Sequence, residues 1–577
     1  MTTILGISAL DKDATAALVV DGRLVKIVME ERLTRRKHQP GFPTRSLQTA
    51  FEETGIRPAD VDLVTYPFFH WMGEARSKVA GYMRDLASLP ERLADPLVCL
   101  RHQAYYLAWL VLTSWRHRRY NRELRHGLAA IGLGDKPLHY LPHHATHAAS
   151  AYYCSAFDRA LVATFDWYGS GLAGTIWLGE AGRLRLLKKL YYPHSLGLFY
   201  AAVTRALGFR WSRHEGKIVG LAAYGDPDVL LPTVMRRFRQ SAGDFRFLSA
   251  MDLDFPRGLA GRFKPADVAA AHQAALEQVV VDLLTPYLRR FGLTNVALAG
   301  GVAANVKLNQ RVHEMDGVEG CFIHPAMGDD GTAAGGALYW LSRRGPLEPR
   351  PLEHVYLGNG LTERSIEHEV VASGLPFEAE ADLDRRIGAL LAEGKVVARV
   401  TGSSEYGPRA LGNRSILCSA ADQGVNDWLN QRLGRTEFMP FAPITLWEQR
   451  QACYQRLAGA EHAARFMTIT FRCTDEMRRE SPAAVHVDGT ARPQLVEREV
   501  SPGLHAILTE YYRRTGLPSL INTSYNMHEE PIVATAKDAI ETFKRSGLDY
   551  LALGNFLVAQ APGRLRPEVV GATRASP

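Results

Sequence analysis

Two stretches of this chain are written to one plan, and that repetition restricts the fold more than any other feature. Ile4–Ser8, Ala14–Val20 and Leu24–Met29 read as three short strands. Asp11, Lys12 and Asp13 make a polar turn after the first strand, and Asp21-Gly22 closes the other two into a hairpin, because glycine tolerates the positive φ of a tight turn. The arrangement returns at Leu161–Asp166, Thr175–Leu178 and Leu184–Leu190, with Gly169, Ser170 and Gly171 as the turn after the first strand. Two such units predict an internally duplicated α/β domain; the alternative is two unrelated hairpins in a long chain.

Duplicated folds of the actin, hexokinase and heat-shock ATPase type bind nucleotide between their halves and use these turns as phosphate loops. The residues around the second unit suit that use. His143 and His147 stand four apart, one helical turn, so both imidazoles share a face. With Asp166 at the end of the following strand they form a candidate three-ligand metal site; the other reading is a pair of ordinary helix histidines. Lys217, among the glycines of RHEGKIVGLAAYG (Arg213–Gly225), can reach a phosphate or a substrate. In VALAGGVAAN (Val296–Asn305), Gly300 and Gly301 lie where a backbone presents N–H groups to a nucleotide. Asp329 and Asp330, in FIHPAMGDDGTAAGGA (Phe322–Ala337), end an apolar run, and a carboxylate there can hold a metal or a metal-bound phosphate. Between the units, about residues 66–133, the pattern is helical. Leu100, Tyr105, Ala108, Trp109 and Leu112 form an apolar stripe. It predicts a packing insertion, with a helical cap over an acceptor pocket as the second reading.

Composition removes several classes. A chain of 577 residues holds two or more domains, and 46% hydrophobic with 22% charged residues is globular. The net charge of +7 suits anionic small substrates as well as nucleic acid, but no Lys/Arg run resembles a nucleic-acid arm. Arg35, Arg36 and Lys37 read as a solvated loop. The six cysteines form no CxxC pair, which argues against a zinc ribbon or a disulfide framework and for a reducing cytoplasm. MTTILGIS lacks the marks of a signal peptide. The longest apolar run, Tyr105–Trp115, is too short to span a bilayer and is flanked by Arg101, His102 and Arg116.

Taken in order, HxxxHAAS, a strand ending in Asp, EGKxxGLAAYG, GGVAAN and PAxGDDGTAxGGAL resemble the NodU/CmcH/TobZ O-carbamoyltransferases. The resemblance continues through GPRALGNRSIL (Gly407–Leu417), FMPFAP (Phe438–Pro443), HVDGTARPQ (His486–Gln494) and LINTSYNMHEEPIV (Leu520–Val533), so it covers nearly the whole chain. It implies an actin-like, TsaD-like N-terminal domain, residues 1–347, and an α+β YrdC-like domain, residues 352–563. The Pro- and Arg-rich stretch Ser342–Pro351 would divide them. It implies that ATP, with Mg, and carbamoyl phosphate form a carbamoyl-adenylate in the second domain, and that the first transfers the carbamoyl group to a substrate hydroxyl. The matching metal positions are His143, His147, Asp166 and Asp329, with iron as the family's ion; the donor types also suit Mn or Zn. Lys217, Gly300, Gly301, Asn305 and Asp330 would hold the adenylate. Arg409, Arg414, Arg492, Asn522 and Ser524 occupy the anion-binding motif positions of the second domain, each arginine having a structural ion pair as its alternative.

The chain departs from the family pattern at three places, one of them the turn after Asp166, usually DGxGE, where Trp167, Tyr168, Gly169 and Ser170 remove a glutamate and add two aromatics near the acceptor side. Lys12 stands where the first turn usually carries histidine; lysine is a poor general base, which leaves Asp13 or Asp11 to activate the acceptor. The cations usual before and within the FMPFAP stretch are replaced by Leu433 and Met439, with Arg432 and Arg435 as neighbouring substitutes. The expected partner is a small hydroxylated acceptor rather than a membrane or nucleic acid, with a homodimer as one assembly. The competing functions are a tRNA-modifying threonylcarbamoyl-type transferase and an inactive nucleotide-binding scaffold.

Overall fold

The computed structural model describes residues 2–87, 96–248, 254–435 and 438–560. Thr436 and Glu437, in the altered stretch, lie outside the described residues, as does the expected end of the second domain at 563.

The repeated plan folds twice. The first sheet contains β1 (Thr3–Ser8), β2 (Thr15–Val20), β3 (Arg23–Met29), β4 (Leu63–Tyr66) and β5 (Leu138–Tyr140), in the order β3-β2-β1-β4-β5. β6 (Arg159–Gly169), β7 (Leu172–Glu180) and β8 (Arg183–Tyr191) are followed by a small hairpin, β9 (Phe238–Ser241) and β10 (Asp244–Phe247). With β11 (Asn295–Ala299) and β12 (Gly320–Ile323), the second sheet runs β12-β11-β6-β7-β8. In both sheets the first three strands pair antiparallel and the last two join in parallel, so one topology is present twice. β6 continues past Asp166, contrary to the expected strand end. The pairing with β7 shifts register between Phe165 and Gly169, so Asp166 sits on an irregular stretch of strand.

Two helices, His143–Tyr153 and Thr332–Ser342, pack between the sheets. The small residues of the second helix are explained by this contact. A Cβ on Gly335 would lie 2.0 Å from the Thr146 carbonyl oxygen, so only glycine lets the helices approach this closely.

The insertion between β4 and β5 is a helical hairpin, Trp71–Ala87 and Pro96–Ala130. Of its expected apolar stripe, Trp109 packs on the protein, stacked on Tyr192, but most of the stripe faces away. Leu100, Tyr105 and Leu112 are exposed, and His102, Gln103, Tyr106 and Leu110 occupy the buried face. Helical periodicity says which residues share a face, and here the polar-rich face is the inner one.

Residues 346–362 have no regular secondary structure but are fixed by backbone bonds to the first two sheets and to the end of the helix His143–Tyr153. The amides of Leu347, Arg350 and Leu352 donate to the carbonyls of Gly182, Tyr153 and Cys154, and Ile27 donates to Leu357. The C-terminal region is built on an eight-stranded mixed sheet whose central strands include Val397–Val400, Arg414–Ser419 and Ser519–Ser524.

Candidate functional site

The helix His143–Tyr153, strand β6 and the turn before the helix Thr332–Ser342 bring four side chains to one point. His143 and His147 contribute Nε2 atoms 3.1 Å apart. His147 Nε2 lies 3.3 Å from Asp166 Oδ2 and 3.6 Å from Asp329 Oδ1; the corresponding distances from His143 are 3.7 and 3.5 Å. All four residues are buried, and one ligand atom from each lies within 4.8 Å of the others. For ligand bonds of about 2.1 Å, cis donors stand roughly 3.0–3.5 Å apart, so these spacings match a small divalent cation. Asp166 Oδ2 has no hydrogen-bond donor, an orphaned buried anion of the kind a cation satisfies. His143 Nδ1 lies 3.2 Å from the Pro67 carbonyl oxygen; donating there, it leaves the Nε2 lone pair for a metal.

The electrostatics favour positive charge at this point. Burial disfavours charge on His143, but Asp166 and Asp329 outweigh it and lift the ion-free imidazole to about 10; a bound cation would displace that proton. Burial alone would raise both carboxyls. The histidines and Lys12 reverse this, and both groups lie below the usual carboxylate range. Asp330 carries no such compensation: burial, then Asp13, Asp329 and Glu31, push it up to about 7.

The first-sheet turn spreads three ways over this cluster. Lys12 Nζ lies 3.5 Å from Asp329 Oδ2, and its side chain is 44% exposed. Asp329 chiefly raises the Lys12 ammonium above the ordinary lysine range. Asp13 Oδ1 is 2.7 Å from His38 Nδ1. Asp11 accepts from the Tyr120 hydroxyl at 3.2 Å and so faces the helical hairpin. On the other side, Gly300 has φ +92, and a Cβ there would stand 2.2 Å from the Phe165 carbonyl oxygen; the Gly301 backbone runs against the Asp166 carboxylate. Lys217 is buried in the helix Glu215–Ala222. The side chain of Asn305 caps the helix Val306–His313 by accepting from Leu308 N, and exchanges bonds with Gln273.

The C-terminal motifs meet the N-terminal ones across a shared boundary. Arg32 donates to the Gly407 carbonyl at 2.7 Å, and Arg213 pairs with Glu529 at 2.8 Å. Met439 packs on Gly220, and Leu433 is buried in the core, so both residues at the departed positions serve packing. Of the two neighbouring cations, Arg435 reaches the Ser524 hydroxyl and carbonyl, together with Thr523 and Asn526, at 2.8–3.2 Å. Arg432 lies instead over the Trp428 ring. Arg414 is fully buried, and its terminal nitrogens donate to the carbonyls of Thr401, Gly402 and Asn413, pinning that loop. Asn522 donates to Ala410 O and Gln494 Oε1. Arg409 and Arg492 are half-buried in the neighbouring loops.

Sequence reasoning passed over the segment after β3. Arg35, expected in a solvated loop, is only 26% exposed; it donates to Ile532 O at 2.7 Å and pairs with Glu530 and Asp538. Glu31 and His38 join Asp13 in a second cluster of possible ligand atoms. The alternation of acid, base and histidine from Glu30 to His38 was the available signal.

Comparison with known proteins agrees with the whole-chain pattern. Residues 3–338 match the family model of the carbamoyltransferase N-terminus and residues 388–560 that of the carbamoyltransferase C-terminus. The chain is 31% identical to the uncharacterized protein sll1178 of Synechocystis sp., over 97% of both chains. It is 32% identical to nodulation protein NolNO of Sinorhizobium fredii, over 95% of this chain and 78% of the relative, and 28% identical to nodulation protein U of the same species, over 92% and 95%. The crystal structure of T. kodakarensis HypF aligns with 59% of this chain and 48% of its own at 15% identity, with a TM-score of 0.33, too slight an overlap to build on.

Proposed function

The chain belongs to the carbamoyltransferase family, and from that premise we propose that it is an ATP-dependent O-carbamoyltransferase. In this reading the YrdC-like C-terminal domain forms carbamoyl-adenylate from carbamoyl phosphate and ATP, releasing inorganic phosphate as the carbamoyl–phosphate bond breaks and pyrophosphate as the α–β phosphate bond of ATP breaks. The actin-like N-terminal domain then passes the carbamoyl group to a hydroxyl of a small-molecule acceptor and releases AMP. The carrying observation is the convergence of His143, His147, Asp166 and Asp329 around an unpartnered carboxylate oxygen, beside the turn that carries Lys12.

Those four residues would hold a divalent ion, iron by family and Mn or Zn by donor type, which when bound supplies Lewis acidity to the adenylate's phosphate. The remaining roles fall to the chain itself. Lys12, kept protonated by Asp329, offers positive charge to the anionic adenylate and is unsuited to take a proton. Asp11 is turned toward Tyr120, so Asp13, oriented by His38, is the residue to accept the acceptor's hydroxyl proton. The Gly300–Gly301 backbone forms the floor against Asp166. In the C-terminal domain, Arg435 and Ser524 stand where the carbamoyl donor's phosphate would bind.

Mass spectrometry of the purified protein with ATP and carbamoyl phosphate, and no acceptor, tests the scheme. Carbamoyl-adenylate is expected from the wild type and from Asp13→Asn, and transfer to an acceptor from the wild type alone. Folded, metal-loaded protein that forms no adenylate would overturn the activation step.

A further inference from the structure

The helical hairpin buries an unusual amount of charge. Beside Tyr106, Leu110, Leu124 and Leu128, the face it presents to the protein carries Glu74 and Lys78, both 0% exposed, with Asp85, His102, His117 and Asn121. Ser170 Oγ and the Tyr168 hydroxyl donate to the two Glu74 oxygens at 2.5 and 3.1 Å, Lys78 Nζ donates to Thr113 at 2.9 Å, and Gln103 donates to Asp85 at 2.6 Å. These groups have partners in the interior, so the hairpin is anchored as it stands and has no need to turn over.

The outward face is apolar. On the longer helix Leu100, Leu107, Val111, Leu112 and Trp115 fall on one stripe, with Leu112 68% and Trp115 65% exposed. On the shorter one Met72, Val79 and Met83 do the same. Arg118 lies over the rings of both Trp71 and Trp115 and ties the two outer faces together. From Leu100 to Trp115 the apolar stripe is about 23 Å long. Beyond it the exposed charge has one sign. Arg116, Arg118, Arg119, Arg122 and Arg125 follow the stripe and Arg76 stands on the shorter helix, while Arg101, at the stripe's start, pairs with Asp254 and Arg84 lies over the Tyr191 ring. Among the described residues of the two helices, the acid outside the buried face is Glu123, paired with Arg119 at 2.6 Å.

We propose that this hairpin docks the enzyme on an anionic lipid surface, its apolar stripe entering the headgroup boundary and its arginines meeting the lipid phosphates. The combination of aromatic and aliphatic side chains with an arginine border is what an interfacial helix requires. Among the described residues no helix is long and apolar enough to cross a membrane, so the hairpin would lie on the bilayer rather than span it. A second copy of the chain fits less well, because a two-fold contact through this face would set arginine against arginine. A nucleic acid would satisfy the arginines but leave Leu112, Val111 and Met83 in water.

Flotation of the full-length protein with vesicles tests this. One set is phosphatidylcholine alone and the other contains phosphatidylglycerol. Binding is expected to be several-fold stronger to the anionic set, to weaken with salt, and to fall about tenfold or more in Leu112→Glu/Trp115→Glu. That variant should keep the wild-type melting temperature and carbamoyl-adenylate formation. Absence of flotation, flotation unchanged in the variant, a dimer that the variant dissociates without any lipid binding, or binding to RNA in place of vesicles would each overturn the proposal.

Discussion

The chain carries two collections of charged groups that its motifs single out, and they are assembled in opposite ways. In the N-terminal half four side chains from three elements point their lone pairs at one another, and a buried oxygen is left without a donor. In the C-terminal half Arg414 is already surrounded by acceptors, all of them backbone carbonyls. The first is an arrangement of mutually repelling or competing groups that a ligand completes; the second is a scaffold complete before any ligand arrives. Equal chemical character in sequence therefore does not mean equal function: what separates the two is whether the structure satisfies the group itself.

The sharpest test of this contrast is His147→Ala. Metal analysis should show loss of the bound ion, and transfer should fall at least about a hundredfold, while adenylate formation in the other half continues. Loss of both activities together would break the contrast. Arg414→Ala comes next. Three or more carbonyls lose a buried donor, so denaturant titration should show a loss of about 3 kcal/mol. A variant of normal stability with only a raised KM for carbamoyl phosphate would place Arg414 with the ligand groups instead. Arg435→Ala should do what Arg414→Ala does not: reduce adenylate formation roughly tenfold, read as KM against kcat, with a smaller stability loss.

Acid should also separate the halves. Burial lowers His117 to about 3, and His272 and His324 to about 4, all in the N-terminal half; His462, also about 4, is in the C-terminal one. Each is neutral when folded and takes up a proton near 6.5 when unfolded. Their stabilisation is thus complete above pH 6.5 and is lost toward pH 4, by about 1.4 kcal/mol per pH unit for each group. Hydrogen exchange at pH 7 and pH 5 should show the N-terminal half opening first. The smallest effect is expected from Leu112→Glu, within about 0.5 kcal/mol of wild type, since its side chain is mostly in solvent already.

Much of this was legible in the sequence, for identifiable reasons. Asp21-Gly22 and the alternating apolar runs announced the hairpins, and the four-residue spacing of His143 and His147 placed both rings on one helix face. What stayed hidden depended on the third dimension. The periodicity of Leu100 to Trp115 was real, but nothing local says that Glu74 and Asp85 would find Ser170 and Gln103 inside and leave the leucines outside. Arg35 looked like part of a soluble cluster because its partners, Glu530 and Asp538, are some five hundred residues away in the chain. Which of the two candidates, Arg432 and Arg435, would reach Ser524 was hidden in the same way, since it depends on where the strand Ser519–Ser524 ends.

The stretch 346–362 has a consequence for timing. A connector stitched to Gly182, Tyr153, Cys154 and, through Ile27, to β3 is no swinging arm. Under the proposed chemistry the mixed anhydride has to cross from one domain to the other, and water destroys such species. With the connector fastened, the length of that crossing is set when the chain folds. The intermediate's survival then rests on a fixed path competing with hydrolysis, so labelled adenylate made in place should reach product before it exchanges with unlabelled adenylate added to the solution.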